Sequence, residues 1–125
     1  MKNLIKLLLL AGLVCSFTAC KKVTYTQITM DEAKEIFKET GEYIILDVRT
    51  EAEFSEGHIP GAICIPNETI GQEKPMQLPD KEATIYVYCR SGNRSKQAAE
   101  KLVNLGYTNI IECGGILSWS GEIEK

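Results

Sequence analysis

One histidine (His58) and one tryptophan (Trp119) occur among the 125 residues of the chain. A lone histidine leaves a Cys–His catalytic pair with one possible member and rules out a histidine-rich metal site. None of the five cysteines stands in a Cys-x-x-Cys spacing, so the zinc-ribbon and thioredoxin-type motifs are both missing. No apolar run reaches the ~20 residues that a membrane-spanning helix needs. Strongly basic stretches are lacking too. The formal net charge of −3 argues against a nucleic-acid partner, whose phosphates require a basic face. Repeats and low-complexity segments are absent, and a charged content of 25% is ordinary for a folded chain. The length suits one small domain with a single core.

The N-terminus is legible as a leader. Met1 to Lys6 carries two lysines, and Leu7 to Phe17 is almost wholly apolar, the length of a signal-peptide core. Phe17-Thr18-Ala19-Cys20 resembles a bacterial lipobox, with cleavage before Cys20 and a lipid on that cysteine. On this reading 1–19 is a lipoprotein signal peptide, 20–27 a lipidated tether running into a first strand, and 28–125 the folded domain. The mature protein is then expected outside the cytoplasm, anchored to a membrane through Cys20 on the periplasmic or cell-surface side.

Apolar patterning places the elements. Thr29-x-x-Glu32 reads as a capping box opening a helix over Asp31 to Thr40, with Ala33, Ile36 and Phe37 as its stripe and Gly41 as its stop. Tyr43 to Leu46 is a continuous apolar run, as in a central parallel strand buried on both faces. A short strand over Ala62 to Ile65 ends at Pro66. Asn67 to Asp80, with Gly71, Pro75 and Pro79, predicts a short helix followed by loop. A strand over Thr84 to Tyr88 precedes a helix over Lys96 to Leu105. Asn109 to Glu112 is a last strand, and Ile116 to Trp119 a short terminal helix. Strands alternating with helices predict an α/β protein on a mostly parallel sheet, which binds ligands beyond the carboxyl ends of its strands.

Cys89 lies at such an end and opens the segment Cys89-Arg90-Ser91-Gly92-Asn93-Arg94-Ser95. The thiolate is the reactive form of cysteine, and three features here favour it. Loop N–H groups can point inward as an anion-binding nest. The next helix offers its positive dipole end, with Ser95 as a candidate N-cap. Arg90 and Arg94 add two permanent charges. Four residues separate Cys89 from Arg94. The Cys-x5-Arg cradle of cysteine phosphatases is one residue longer, so this ring of amides suits a smaller object, such as one sulfur atom carried on the cysteine.

Five ordered motifs resemble those of single-domain rhodanese-type sulfurtransferases. They are Leu46-Asp47-Val48-Arg49-Thr50 followed by Glu53-Phe54; Gly57-His58-Ile59-Pro60-Gly61-Ala62; the Cys89 loop; Gly106-Tyr107-Thr108-Asn109-Ile110; and Gly114-Gly115-Ile116-x-x-Trp119. The similarity extends from Ile28 to Trp119. It implies a rhodanese-like three-layer α/β/α sandwich on a mostly parallel five-stranded sheet. It also implies a two-step mechanism. The Cys89 thiolate takes the outer sulfur of a donor such as thiosulfate, and a thiol or cyanide acceptor then removes it from the Cys89 persulfide. Arg90 would bind the donor's sulfonate end, the amides of Arg90 through Ser95 would hold the persulfide, and Arg94 would support the loop. Neither a metal nor an organic cofactor is required. The partners implied are a small anionic sulfur donor, a thiol or cyanide acceptor and, possible on the same chemistry, a protein thiol.

Other residues carry two readings each. Asp47 and Arg49, at the end of the second strand, can support the loop, Asp47 by orienting its amides or arginines; the alternative is a structural ion pair of Arg49 with Glu53. His58 is read as shaping a turn, and Trp119 as core. Cys64 and Cys113 are expected far apart in the sheet and unpaired, with Cys113 a candidate resolving thiol near the site. Two functions of other classes stay open: a thiol redox or persulfide relay using Cys113 or a partner's cysteine, and a non-catalytic binding module of the same fold.

Overall fold

The computed structural model describes residues 24–125. The expected signal peptide 1–19, the expected lipidation site Cys20 and the start of the tether lie outside the described residues. Five strands form one sheet: β1 (Thr26–Gln27), β2 (Tyr43–Asp47), β3 (Ile63–Cys64), β4 (Thr84–Cys89) and β5 (Ile110–Gly115). Their order is β1-β5-β4-β2-β3, and every neighbouring pair is parallel. The helices are α1 (Met30–Phe37), α2 (Glu51–Glu56) and α3 (Asn93–Asn104), with 3₁₀ turns at Asn67–Thr69 and Ile116–Ser118. No described helix is long and apolar enough to cross a membrane.

Side chains alternate across the strands and divide the core in two. From β4, Ile85, Val87 and Cys89 pack with Ala98, Ala99 and Leu102 of α3. Tyr86 and Tyr88 point the other way, into a layer with Met30 and Ala33 of α1. β2 divides in the same manner, with Leu46 on the α3 side and Ile45 on the α1 side. This is the α/β sandwich expected from the alternation of elements.

Several boundaries differ from the sequence reading. α1 does begin with the Thr29–Glu32 capping box, but its C-cap is Lys38, short of Gly41. α2 was not anticipated, although Thr50-x-x-Glu53 forms the same reciprocal cap. α3 starts at Asn93 with Gly92 as its N-cap, so Ser95 is not the cap but the third helical residue. β5 runs past Glu112 to Gly115, because its register against β4 slips between Val87↔Glu112 and Cys89↔Gly115. The slip places one extra β5 residue opposite that stretch of β4, which is a β-bulge.

Candidate active site

Cys89 ends β4 with 1% of its surface exposed. Its Sγ accepts a hydrogen bond from the Gly92 N–H at 3.0 Å and donates to Ser95 Oγ at 3.4 Å. Gly92 turns the chain back toward the sulfur at φ 108°, a conformation that residues with a Cβ rarely adopt. The N-cap residue and the first three residues of an α-helix have no intrahelical acceptor for their N–H groups. Here these are Gly92, Asn93, Arg94 and Ser95, all within the loop. Gly115 seats the loop from below, since a Cβ at that position would run into the Arg90 carbonyl and Ser91 Cα. The Arg90 carbonyl accepts from the Leu117 N–H at 3.2 Å, which ties the loop to the turn after β5.

Arg90, Ser91 and Asn93 are exposed. Arg94 is half-buried and donates to both oxygens of Glu53, at 2.7 and 3.0 Å. The Arg94 hydrogen bond, working against partial burial, holds the Glu53 carboxyl down at about 2. Glu53 in turn accepts from the backbone N–H and hydroxyl of Thr50, so one carboxylate fixes both the start of α2 and the start of α3.

Asp47 and Arg49 are not at the loop. Asp47 lies on the same face of the sheet as Ile45 and Tyr88, opposite to Cys89. Its carboxylate binds the Arg49 backbone N–H at 2.9 Å and the guanidinium at 2.7 and 3.0 Å. Asp47 is fully buried and Arg49 6% exposed. Arg49 also donates to the Gly57 carbonyl at 2.7 Å and sits over the Tyr88 ring. The pair is thus structural, and Arg49 takes Asp47 as its partner instead of Glu53. Strand parity accounts for this: residues two apart share a face, and Asp47 pairs in register with Tyr88, not Cys89.

The other thiols stay apart. Cys64, Cys89 and Cys113 are all free, with β4 and β2 lying between the strands of Cys113 and Cys64. Cys113 is 3% exposed in the α1 layer, across the sheet from Cys89. Burial, the largest cause, pushes its thiol up to about 12. That is poor placement and poor chemistry for a resolving thiol, so this expectation does not hold. His58 accordingly serves its turn: Nδ1 lies 2.8 Å from the Phe54 carbonyl, and its backbone exchanges hydrogen bonds with Glu124. Trp119 packs among Phe37 and its neighbours as core.

Sequence reasoning missed Glu112. It is 2% exposed and accepts from Ser95 Oγ at 2.8 Å, from Gln27 Nε2 at 3.3 Å and from the Gly114 N–H. Its signal was parity. Two residues after the buried Ile110, its side chain falls on the α3 side, where Cys89 also points. A cleft of about 500 Å³ lies beside the loop, with Ser91, Gly92, Lys96, Gln27, Glu32 and Gly114 in its walls. A larger depression over Phe37 and Trp119 has no loop residue in its lining. Among the described residues, no group of three or more His, Cys, Asp or Glu is disposed to hold a metal.

A buried cysteine sulfur at a strand end, held by the Gly92 N–H of a tight loop, defines a site for covalent chemistry on sulfur. Residues 29–122 match the model of the rhodanese-like domain. The thiosulfate sulfurtransferase PspE of Escherichia coli is 38% identical over 71 residues, which cover 57% of this chain and 68% of that protein. The adenylyltransferase and sulfurtransferase uba4 of Ogataea parapolymorpha is 33% identical over 109 residues, which cover 84% of this chain but only 28% of that longer protein. The crystal structure of a rhodanese-like domain protein from Staphylococcus aureus superposes with a TM-score of 0.68 at 34% identity, covering 79% of this chain and 96% of that one. The chain belongs to the rhodanese-like domain family, and sulfur transfer is the class of activity that this membership supports.

Proposed function

We propose that the protein moves a sulfane sulfur from a small anionic donor such as thiosulfate to a thiol or cyanide, carrying it as a persulfide on Cys89. The observation behind this reading is the Gly92 N–H aimed at Cys89 Sγ from 3.0 Å, in a loop that carries three further N–H groups without intrahelical acceptors. In the first step the Cys89 thiolate attacks the outer sulfur of thiosulfate. The S–S bond of the donor breaks, sulfite leaves with the electron pair, and Cys89 holds a persulfide anion. In the second step the acceptor attacks the outer persulfide sulfur and the Cys89 thiolate departs. The loop N–H groups, fixed before the reaction, stabilise the persulfide charge as an oxyanion hole stabilises oxygen. Arg90, exposed at the mouth, binds the sulfonate end of the donor, and the reaction uses no metal or organic cofactor.

The same proposal places the protein outside the cytoplasm, held to a membrane by a lipid on Cys20, where a protein thiol is one class of acceptor. The intact mass of the protein, before and after thiosulfate and again after cyanide, tests the chemistry. Wild type should gain one sulfur and lose it to cyanide, with release of thiocyanate, while Cys89→Ser should gain none. A folded, reduced wild type that takes up no sulfur removes thiosulfate as donor. In that case the binding-module reading would take precedence, since Cys113 is not placed to support a redox pair.

A further inference from the structure

Two carboxylates are buried among the described residues. Asp47 has the Arg49 guanidinium; Glu112 has no basic partner at all. Every hydrogen bond to Glu112 comes from a neutral group: Ser95 Oγ, Gln27 Nε2 and the Gly114 N–H. Ser95 is itself fully buried; its Oγ lies 3.4 Å from Cys89 Sγ and 2.8 Å from Glu112 Oε2, the nearest of three acceptors that include the Gly92 and Gly114 carbonyls at 3.0 and 3.3 Å. A path therefore runs from the thiol through one hydroxyl to a carboxylate 2% exposed beside the cleft.

The charges around this path are few. Arg90 on the loop is exposed, and α3 contributes Lys96 at the cleft wall and Arg94, which Glu53 of α2 already neutralises. α1 contributes Glu32 across the cleft, and Cys113 lies behind β5. Among the described residues no cation lies within ion-pair distance of Glu112. A thiolate and a carboxylate desolvated together repel, and such a pair retains one proton between its members.

We infer that Glu112 takes up the Cys89 proton through Ser95 and holds it during sulfur transfer. The thiol S–H bond breaks and its proton passes to Ser95 Oγ. The Ser95 proton passes to Glu112 Oε2, leaving a thiolate beside a neutral carboxyl. No oxidant or reductant takes part, and the single negative charge moves from carboxylate to sulfur, where the loop amides meet it. Glu112 and Ser95 are positioning residues for the proton, acting on Cys89 without touching the donor. The inference rests on Cys89 as the nucleophile of the proposed reaction, but its test needs no sulfur donor.

In the full chain, alkylation of Cys89 by iodoacetamide is followed against pH by the mass of the Cys89 peptide, which separates it from the other thiols. Wild type should show a rate that is flat across the neutral range, because the shared proton keeps a fixed thiolate fraction. Glu112→Gln and Ser95→Ala should lose this plateau and rise about tenfold per pH unit below the thiol pKa. Identical profiles for all three proteins would overturn the inference. A second measurement uses wild type only and so does not depend on the variants folding. The infrared C=O band of a neutral carboxyl should be present at neutral pH and vanish when Cys89 is alkylated; no such change would also overturn it. A wild type that keeps the plateau but accepts no sulfur from thiosulfate would refute the proposed function and leave the proton path standing. Sulfur uptake without a plateau would do the reverse.

Discussion

Arg94 and Glu53 face each other side on, with both carboxylate oxygens bonded to the two terminal nitrogens of the guanidinium, at 2.7 and 3.0 Å. The pair joins the first turn of α3 to the first turn of α2, so the arginine expected to lend its charge to Cys89 has that charge matched elsewhere. Glu53 is held at about 2 in the folded protein, below its ordinary value of 4.5. Its contribution to stability is therefore complete above the unfolded-state value and lost as pH falls from there through about 2. Glu53→Gln should lower stability at neutral pH by about 1 kcal/mol, the scale of a partly exposed ion pair. Urea denaturation at neutral pH and again near the folded value should show the gap between variant and wild type closing in acid.

Gly115 presses against the Arg90 carbonyl so closely that any Cβ must displace the loop. Gly115→Ala should slow both alkylation and sulfur loading of Cys89 by about tenfold or more, since a displacement of the order of 1 Å at a reacting group has costs on this scale. The melting temperature, measured alongside, should fall less than the reactivity suggests. A variant with wild-type Cys89 reactivity would show that the loop relaxes without moving its amides.

Cys113 offers a negative control. Its thiol is buried in the α1 layer and pushed up to about 12, so it carries almost no thiolate at neutral pH. Cys113→Ala should transfer sulfur at the wild-type rate with cyanide and with thiol acceptors. A clear loss with thiols alone would restore the resolving role that the structure argues against.

Arg49 neutralises a carboxylate that has no access to water. Arg49→Met should cost about 3–5 kcal/mol, because it strands the Asp47 charge in the interior. Arg49 also donates to the Gly57 carbonyl, so the end of α2 should loosen with it. Equilibrium denaturation measures the first effect, and hydrogen exchange over Phe54 to His58 the second. Adding Asp47→Asn to the same chain should recover part of the loss.

How much of this was legible depended on whether the signal was local. The apolar run of β4, the Cys89 loop and the alanines of α3 follow one another in the chain, and their order alone located the nucleophile. The bulge in β5 was not local. It arises where Gly115 must pass beneath the Arg90 carbonyl, a contact between segments 25 residues apart in number. In the sequence the strand therefore ends at Glu112, which looks like a terminal residue and not a buried acid. Glu53 reads in the sequence as a partner for the nearby Arg49; only the fold brings Arg94, 41 residues on, to its carboxylate. Ser95 was misassigned for a different reason. A serine before a helix-forming run resembles a cap, but Gly92 makes the turn earlier and draws Asn93, Arg94 and Ser95 into the helix.

Every strand in the sheet points the same way, β1 included, and β1 pairs with the middle of β5. The polypeptide therefore enters the domain along an edge strand whose Gln27 already lines the cleft beside the Cys89 loop. Were Cys20 lipidated as proposed, the six residues from Cys20 to Tyr25 could reach no more than about 20 Å. The domain would then sit low over the bilayer, with the tether joined to the strand that forms one wall of the cleft. An acceptor confined to the membrane surface would then meet the cleft within a tether's length, without the domain having to leave the bilayer.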